Sequence, residues 1–137
     1  MRERDWSSDV CSSDLKFYKC EHCGNIVTFV EDKGVPVMCC GQKMTELTAN
    51  TTDAAQEKHV PVVEQDGDTV KVTVGSVEHP MLEEHFIQWV CLETENGSQI
   101  KYLKPGAKPE AVFTLNDDRL VAVYEYCNLH GLWKAEV

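Results

Sequence analysis

Four cysteines between positions 20 and 40 set the tightest limit on how this 137-residue chain can fold. Cys20 and Cys23 are separated by two residues in Cys20-Glu21-His22-Cys23-Gly24, and Cys39 and Cys40 are adjacent, ahead of Gly41. A two-residue spacer lets both thiolates reach one ion, and a glycine behind the second ligand permits the tight turn such a knuckle needs. The surrounding stretch, 16–50, has one short apolar run, Ile26-Val27-Thr28-Phe29-Val30. A piece of about 35 residues with so little apolar surface cannot build a core, so a metal has to supply the missing stability. Adjacent side chains diverge, so Cys39 and Cys40 can share an ion only where the backbone between them bends. A distorted tetrahedron is expected. An all-thiolate site suits iron or zinc, and a purely structural zinc site also stays open here. His22, between two ligands, reads as a solvent-facing spacer.

The rest of the chain divides by composition. Residues 1–15, MRERDWSSDVCSSDL, are rich in Ser and Asp and have neither helix nor strand period. They are expected to be disordered or extraneous, with Cys11 a free thiol on a tail. After the cysteine-rich segment 16–50, Asn50 to Glu57 is polar and reads as a linker at the start of a second domain, 51–137. Thr69 to Val74, TVKVTV, alternates with period two, behind a turn at Gln65-Asp66-Gly67-Asp68. Further strands are expected at Phe86–Leu92, Gln99–Leu103, Ala111–Leu115 and Leu120–Tyr126, separated by Glu95-Asn96-Gly97, Lys104-Pro105-Gly106 and Asn116-Asp117-Asp118. Short strands at this spacing without convincing helices predict an antiparallel β-sandwich.

Charge excludes some functions. The formal net charge is −10 and the sequence pI about 4.8, which argues against nucleic-acid binding, since phosphate contacts need clustered Lys and Arg. An anionic substrate would need a local positive feature to override that field. No apolar run approaches the roughly 20 residues that cross a bilayer, so no membrane partner is expected. The N-terminus lacks a charged-then-apolar secretory pattern, and a cytoplasmic protein is expected. Seven cysteines in such a chain point to metal ligation rather than disulfides.

A second constellation lies outside the knuckle. His59 stands in Glu57-Lys58-His59-Val60-Pro61, and His79 and His85 bracket His79-Pro80-Met81-Leu82-Glu83-Glu84-His85. Cys127 and His130 follow in Cys127-Asn128-Leu129-His130-Gly131. One histidine in a β protein is usually a surface or core residue. Four beside one cysteine favour a redox metal, with a planar set of imidazoles, a thiolate on one axial side and the opposite position open. Zinc with five such ligands would be atypical, because its sites are nearly always four-coordinate. A thiolate pushes electron density toward iron, as in thiolate-ligated haem. Cys91, in Ile87-Gln88-Trp89-Val90-Cys91-Leu92, reads as packing, and Trp133 as a shield for the site or a core residue.

The segments YKCEHCGN, VMCCGQKM, EKHVP, HPMLEEHFIQWV and YCNLHGLWKAEV together resemble the desulfoferrodoxin family over Lys16 to Val137. The resemblance implies an all-β protein. A small rubredoxin- or desulforedoxin-like metal domain would precede an immunoglobulin-like antiparallel β-sandwich. It also implies a superoxide reductase with two mononuclear iron ions. Cys20, Cys23, Cys39 and Cys40 would hold the first, accessory iron; His59, His79, His85 and His130 would hold the second in their plane, with Cys127 axial. Lys58 would attract superoxide and order a proton-donating water, and Glu57 would bind the ferric iron after peroxide leaves. On sequence alone the two are an ordinary charged turn. A rubredoxin-like electron donor and a homodimer are further family expectations. Three rivals remain at this point: a superoxide dismutase, a pure electron carrier and a zinc-stabilised interaction module.

Overall fold

A computed structural model of the protein describes residues 15–50, 59–75 and 79–137. Residues 1–14, with Cys11, and residues 51–58, with Glu57 and Lys58, lie outside the described residues. The named elements among the described residues are all strands, and they fall into a unit ending at Thr48 and one beginning at Ala49.

The first unit has five short strands: β1 (Phe17–Lys19), β2 (Ile26–Thr28), β3 (Met38–Cys39), β4 (Gln42–Lys43) and β5 (Thr45–Glu46). β1 is the centre of an antiparallel sheet ordered β2-β1-β5, and β3 pairs with β4 as a separate hairpin. Its buried apolar side chains are Phe17, Cys20 and Met44, while Val30, Val35 and Met38 are exposed. That is too little burial to offset the entropy of ordering the segment, at about 1–2 kcal/mol per residue for the backbone.

The second unit has seven strands: β6 (Pro61–Asp66), β7 (Thr69–Val74), β8 (Ile87–Thr94), β9 (Ser98–Tyr102), β10 (Glu110–Thr114), β11 (Leu120–Cys127) and β12 (Gly131–Glu136). They form two antiparallel sheets, β10-β7-β6 and β12-β11-β8-β9. The sheets share one core: Val70, Val72, Val74, Ala111 and Phe113 come from the first, and Ile87, Val90, Leu92, Leu120, Val123 and Cys127 from the second. In β7 the three valines point inward and are fully buried, while Thr69 and Lys71 are exposed, so the sequence alternation becomes an inside and an outside. Each such valine contributes about 1.5–3 kcal/mol of hydrophobic stabilisation. β11 is buried at all eight positions. Its run LVAVYEYC therefore shows no alternation, as expected of a central strand covered on both faces.

Strands form at the five places where alternation or turns predicted them, with no end shifted by more than two residues. β6 and β12 were not predicted. β6 lies at a sheet edge, starts with Pro61 and exposes most of its length, so it carries little apolar periodicity. The β12 segment mixes Trp, Lys and Glu and pairs with β11 from Ala122↔Glu136 to Cys127↔Gly131.

Side-chain hydrogen bonds join two turns of the second unit. Asp118 accepts hydrogen bonds from the Thr94 hydroxyl (2.6 Å), the Arg119 amide (2.8 Å) and the Asn96 amide and side chain (3.3 and 3.2 Å). The β8–β9 turn is thereby tied to the turn between β10 and β11.

Candidate metal centres

The first centre is built on two turns. After β1 the chain reverses through Cys20-Glu21-His22-Cys23-Gly24, closed by Gly24 N–H to Cys20 O (2.9 Å) and Cys20 N–H to Asn25 O (2.9 Å). Gly24 takes φ +87°, a conformation costly for any residue with a Cβ. The second turn carries Cys39 and Cys40 at the tip of the β3–β4 hairpin. Here Cys40 itself adopts φ +53°, the bend that adjacent ligands demand. Cys23 and Cys39 sulfurs lie 3.6 Å apart, those of Cys39 and Cys40 4.0 Å, and all four sulfurs lie within 4.8 Å of one another. His22 is exposed, as a spacer should be.

The Cys20 and Cys40 thiols are shifted in opposite directions. The Cys23 amide, 3.5 Å from the Cys20 sulfur, lowers that thiol to about 6. Hydrogen bonding to Cys23 and Cys20 pushes Cys40 up to about 12. Four sulfurs this close together suit a cation between them, which would offset the mutual repulsion of their thiolates. None of the cysteines among the described residues forms a disulfide.

The second centre sits at one rim of the sandwich, because antiparallel pairing brings strand starts and ends together. His59 precedes β6, His85 precedes β8, Cys127 ends β11 and His130 precedes β12. Cys127 pairs with both Ile87 and Gly131, placing three of these segments side by side. The imidazoles make a closed square. Successive rings are edge-on at 4.5 Å (His59–His79), 4.7 Å (His79–His85), 5.0 Å (His85–His130) and 4.8 Å (His130–His59), with interplanar angles of 77–87°. The diagonal His59–His85 is longer, at 6.4 Å, and its planes are within 27°. The donor atoms face inward. His79 Nε2 and His59 Nε2 are 3.0 Å apart, and His130 Nδ1 is 3.1 Å from His59 Nε2. The Cys127 sulfur lies 3.5 Å from His79 Nε2 and 3.8 Å from His130 Nδ1. All five donors fall within 4.8 Å of one another.

Neighbouring groups orient these ligands. His79 Nδ1 donates to Pro80 O (2.7 Å), which leaves Nε2 with the lone pair a metal requires. Burial, followed by the neighbouring imidazoles, takes His79 down to about 4, so it is neutral at physiological pH. Burial raises the Cys127 thiol, and the amides of Leu129 and His130 pull it partly back. A cation there would displace that proton and receive a thiolate. This donor set, four neutral imidazoles and one thiolate, fits iron.

Sequence reasoning missed two residues here. Glu125, two positions before Cys127 on β11, is fully buried, and neither carboxylate oxygen has a hydrogen-bond partner among the described residues. Burial holds its carboxyl well above the usual range. A lone glutamate inside LVAVYEYC was the available signal. Asn128 is the other, and nothing in its local sequence set it apart from a turn residue. Trp133, read as either shield or core, does both: it is buried and stacks on His59. Cys91 is buried in β8, with its thiol pushed up to about 12 by burial, and lies outside both ligand groups.

Two family profiles match the chain: the desulfoferrodoxin N-terminal domain over residues 12–47 and desulfoferrodoxin over residues 51–136. The chain belongs to the desulfoferrodoxin family. A desulfoferrodoxin from Nitratidesulfovibrio vulgaris is 52% identical over 124 residues, 90% of this chain and 98% of that one. A desulfoferrodoxin from Syntrophotalea carbinolica is 52% identical over 122 residues, 89% of this chain and 96% of that one. Among solved structures, the superoxide reductase from Treponema pallidum superposes with a TM-score of 0.76 at 42% identity, covering 90% of this chain and all of that one. Like other desulfoferrodoxins, the chain has a four-cysteine iron centre and a four-histidine, one-cysteine iron centre, and the two groups described above fit them.

Proposed function

We propose that this desulfoferrodoxin is a superoxide reductase. It reduces superoxide by one electron at the iron of the second centre, taking up two protons to give hydrogen peroxide. The first iron is an accessory that relays electrons. The observation carrying this reading is the square of four imidazoles with the Cys127 sulfur beside it, on a chain similar over 90% of its length to a superoxide reductase.

Iron bound there supplies the one-electron couple. The protein's residues do the rest. His59, His79, His85 and His130 would hold the iron through imidazole nitrogens, and Cys127 would add the one anionic ligand of the group. Cys127 places that negative charge in the buried rim, where the low dielectric strengthens its effect. Trp133 covers His59 and excludes water from that side. Lys58 and Glu57 immediately precede His59 in sequence. We assign Lys58 to drawing the anionic substrate toward the rim against a net charge of −10, and Glu57 to taking the place of departing product.

Three further elements complete the proposal. Electrons come from a rubredoxin-like carrier, as the two-centre organisation suits. The protein is a homodimer, supported by exposed apolar residues on the edge strand β9, Ile100 and Tyr102. It works in the cytoplasm, which agrees with the free cysteines among the described residues. No helix among those residues is long and apolar enough to cross a membrane.

The test is stoichiometric. Reduced, iron-loaded protein mixed anaerobically with superoxide is expected to yield one peroxide per superoxide and to remain oxidised until a donor is added. One peroxide for every two superoxides, with turnover needing no donor, would identify a dismutase instead.

A further inference from the structure

β8 and β11 pair regularly from Ala122↔Glu93 to Tyr126↔Trp89, then slip in register to Cys127↔Ile87, where the ladder ends. Beyond that point His85 must still be held against the turn bearing Cys127 and His130. Asn128 spans the gap. Asn128 Oδ1 accepts from the Phe86 amide (3.0 Å), Asn128 Nδ2 donates to the Glu84 carbonyl (3.1 Å), and the Asn128 amide donates to the Phe86 carbonyl (3.2 Å). Both neighbours of His85 are therefore bonded to Asn128. His85 itself is tied on its other side to Leu82, through N–H to Leu82 O (3.0 Å) and Leu82 N–H to His85 O (2.9 Å).

We infer that Asn128 is a positioning residue for the second iron centre, clamping the His85 segment to the Cys127–His130 turn. An asparagine in a turn ordinarily bonds its own backbone one or two residues away. This one reaches 42 and 44 residues across the sequence, to either side of one ligand. The primary amide is suited to the task, because it offers one acceptor and two donors in a fixed plane. An aspartate keeps the bond to Phe86 and sets a carboxylate against the Glu84 carbonyl; an alanine loses both. Groups that orient ligands typically account for about 10–100-fold in metal affinity.

The inference rests on the five-ligand group being an iron site, and its test reads binding rather than turnover. Full-length Asn128→Ala, Asn128→Asp, His85→Ala and the double variant are titrated anaerobically with ferrous iron against a competing chromophoric chelator. The four-cysteine centre is the internal reference for intact protein. Asn128→Ala is expected to weaken the five-ligand site about 10–100-fold, leave the four-cysteine site unchanged and shift the thiolate-to-iron absorption of the oxidised protein. The double variant is expected to bind no more weakly than His85→Ala, because the clamp acts through that ligand. Wild-type affinity with an unshifted band in Asn128→Ala, or full additivity in the double variant, would overturn the inference. Should Asn128→Ala fail to fold, Asn128→Asp decides by the same two readouts. A wild-type protein that holds no iron at these five ligands would overturn the site reading itself, and the clamp with it.

Discussion

The Trp133 indole lies over the His59 imidazole, with centroids 5.0 Å apart and planes inclined by 25°, while its N–H donates to the His130 carbonyl at 3.1 Å. One buried side chain thus supports two ligands, from β12 to the segment before β6. Trp133→Ala is expected to cost about 3–5 kcal/mol through the cavity it leaves. Trp133→Phe keeps a ring on His59 but leaves the carbonyl without its donor, for about 1–3 kcal/mol. Denaturant unfolding gives both values, and faster iron loss from either variant is expected. Equal stability of wild type and Trp133→Ala would show that the indole supports nothing.

Removing metal from the four-cysteine centre is expected to unfold the unit that ends at Thr48 and leave the sandwich intact. That unit buries only Phe17, Cys20 and Met44 among its apolar side chains, so the metal carries its folding free energy. Amide hydrogen exchange before and after chelation separates the two units. Protection persisting at Phe17 and Tyr18 without metal would contradict the expectation.

Asp118 is expected to make the second unit acid-sensitive. Slight burial works to raise its carboxyl, but the Thr94 hydroxyl and the Arg119 and Asn96 amides outweigh it, and the group lies below its ordinary 3.8. A depressed carboxyl contributes stability above its unfolded pKa, and the contribution is lost as pH falls through the folded value. Asp118→Ala should therefore cost about 1–2 kcal/mol near neutrality, and the gap to wild type should close below about pH 3.8. Melting curves from pH 7 to pH 2 check this. A gap that widens on acidification would reverse the assigned sign.

Lys58→Ala is expected to slow the bimolecular reaction with superoxide and flatten its dependence on ionic strength. The motive is a cation adjoining His59 in a chain of net charge −10, where one local charge has most to overcome. Stopped-flow rates at several salt concentrations measure both effects. Unchanged rates throughout would remove Lys58 from the reaction.

Much of this protein was legible in its amino-acid order. Cys20, Cys23, Cys39 and Cys40 announced a metal because spacing within a turn is a local property, and too little apolar sequence surrounded them for any other core. TVKVTV announced β7 because a strand buried on one face must alternate. The donor types His59, His79, His85, Cys127 and His130 were chosen by chemistry that sequence carries directly, through soft and neutral ligands suited to iron.

Tertiary structure decided what depends on distance. His59 and His130 are 71 residues apart in sequence, and only the packing of the β6 sheet against the sheet of β11 and β12 makes them neighbours at 3.1 Å. Local pattern was silent on the edge strand β6, whose mostly exposed face needs no periodicity. It was also silent on Asn128, whose partners lie across the register slip at the end of β8. The sequence by itself determined which atoms can bind metal. Pairing register and burial determined which of them meet, because hydrogen-bonded strand ends converge at one rim whatever their separation along the chain.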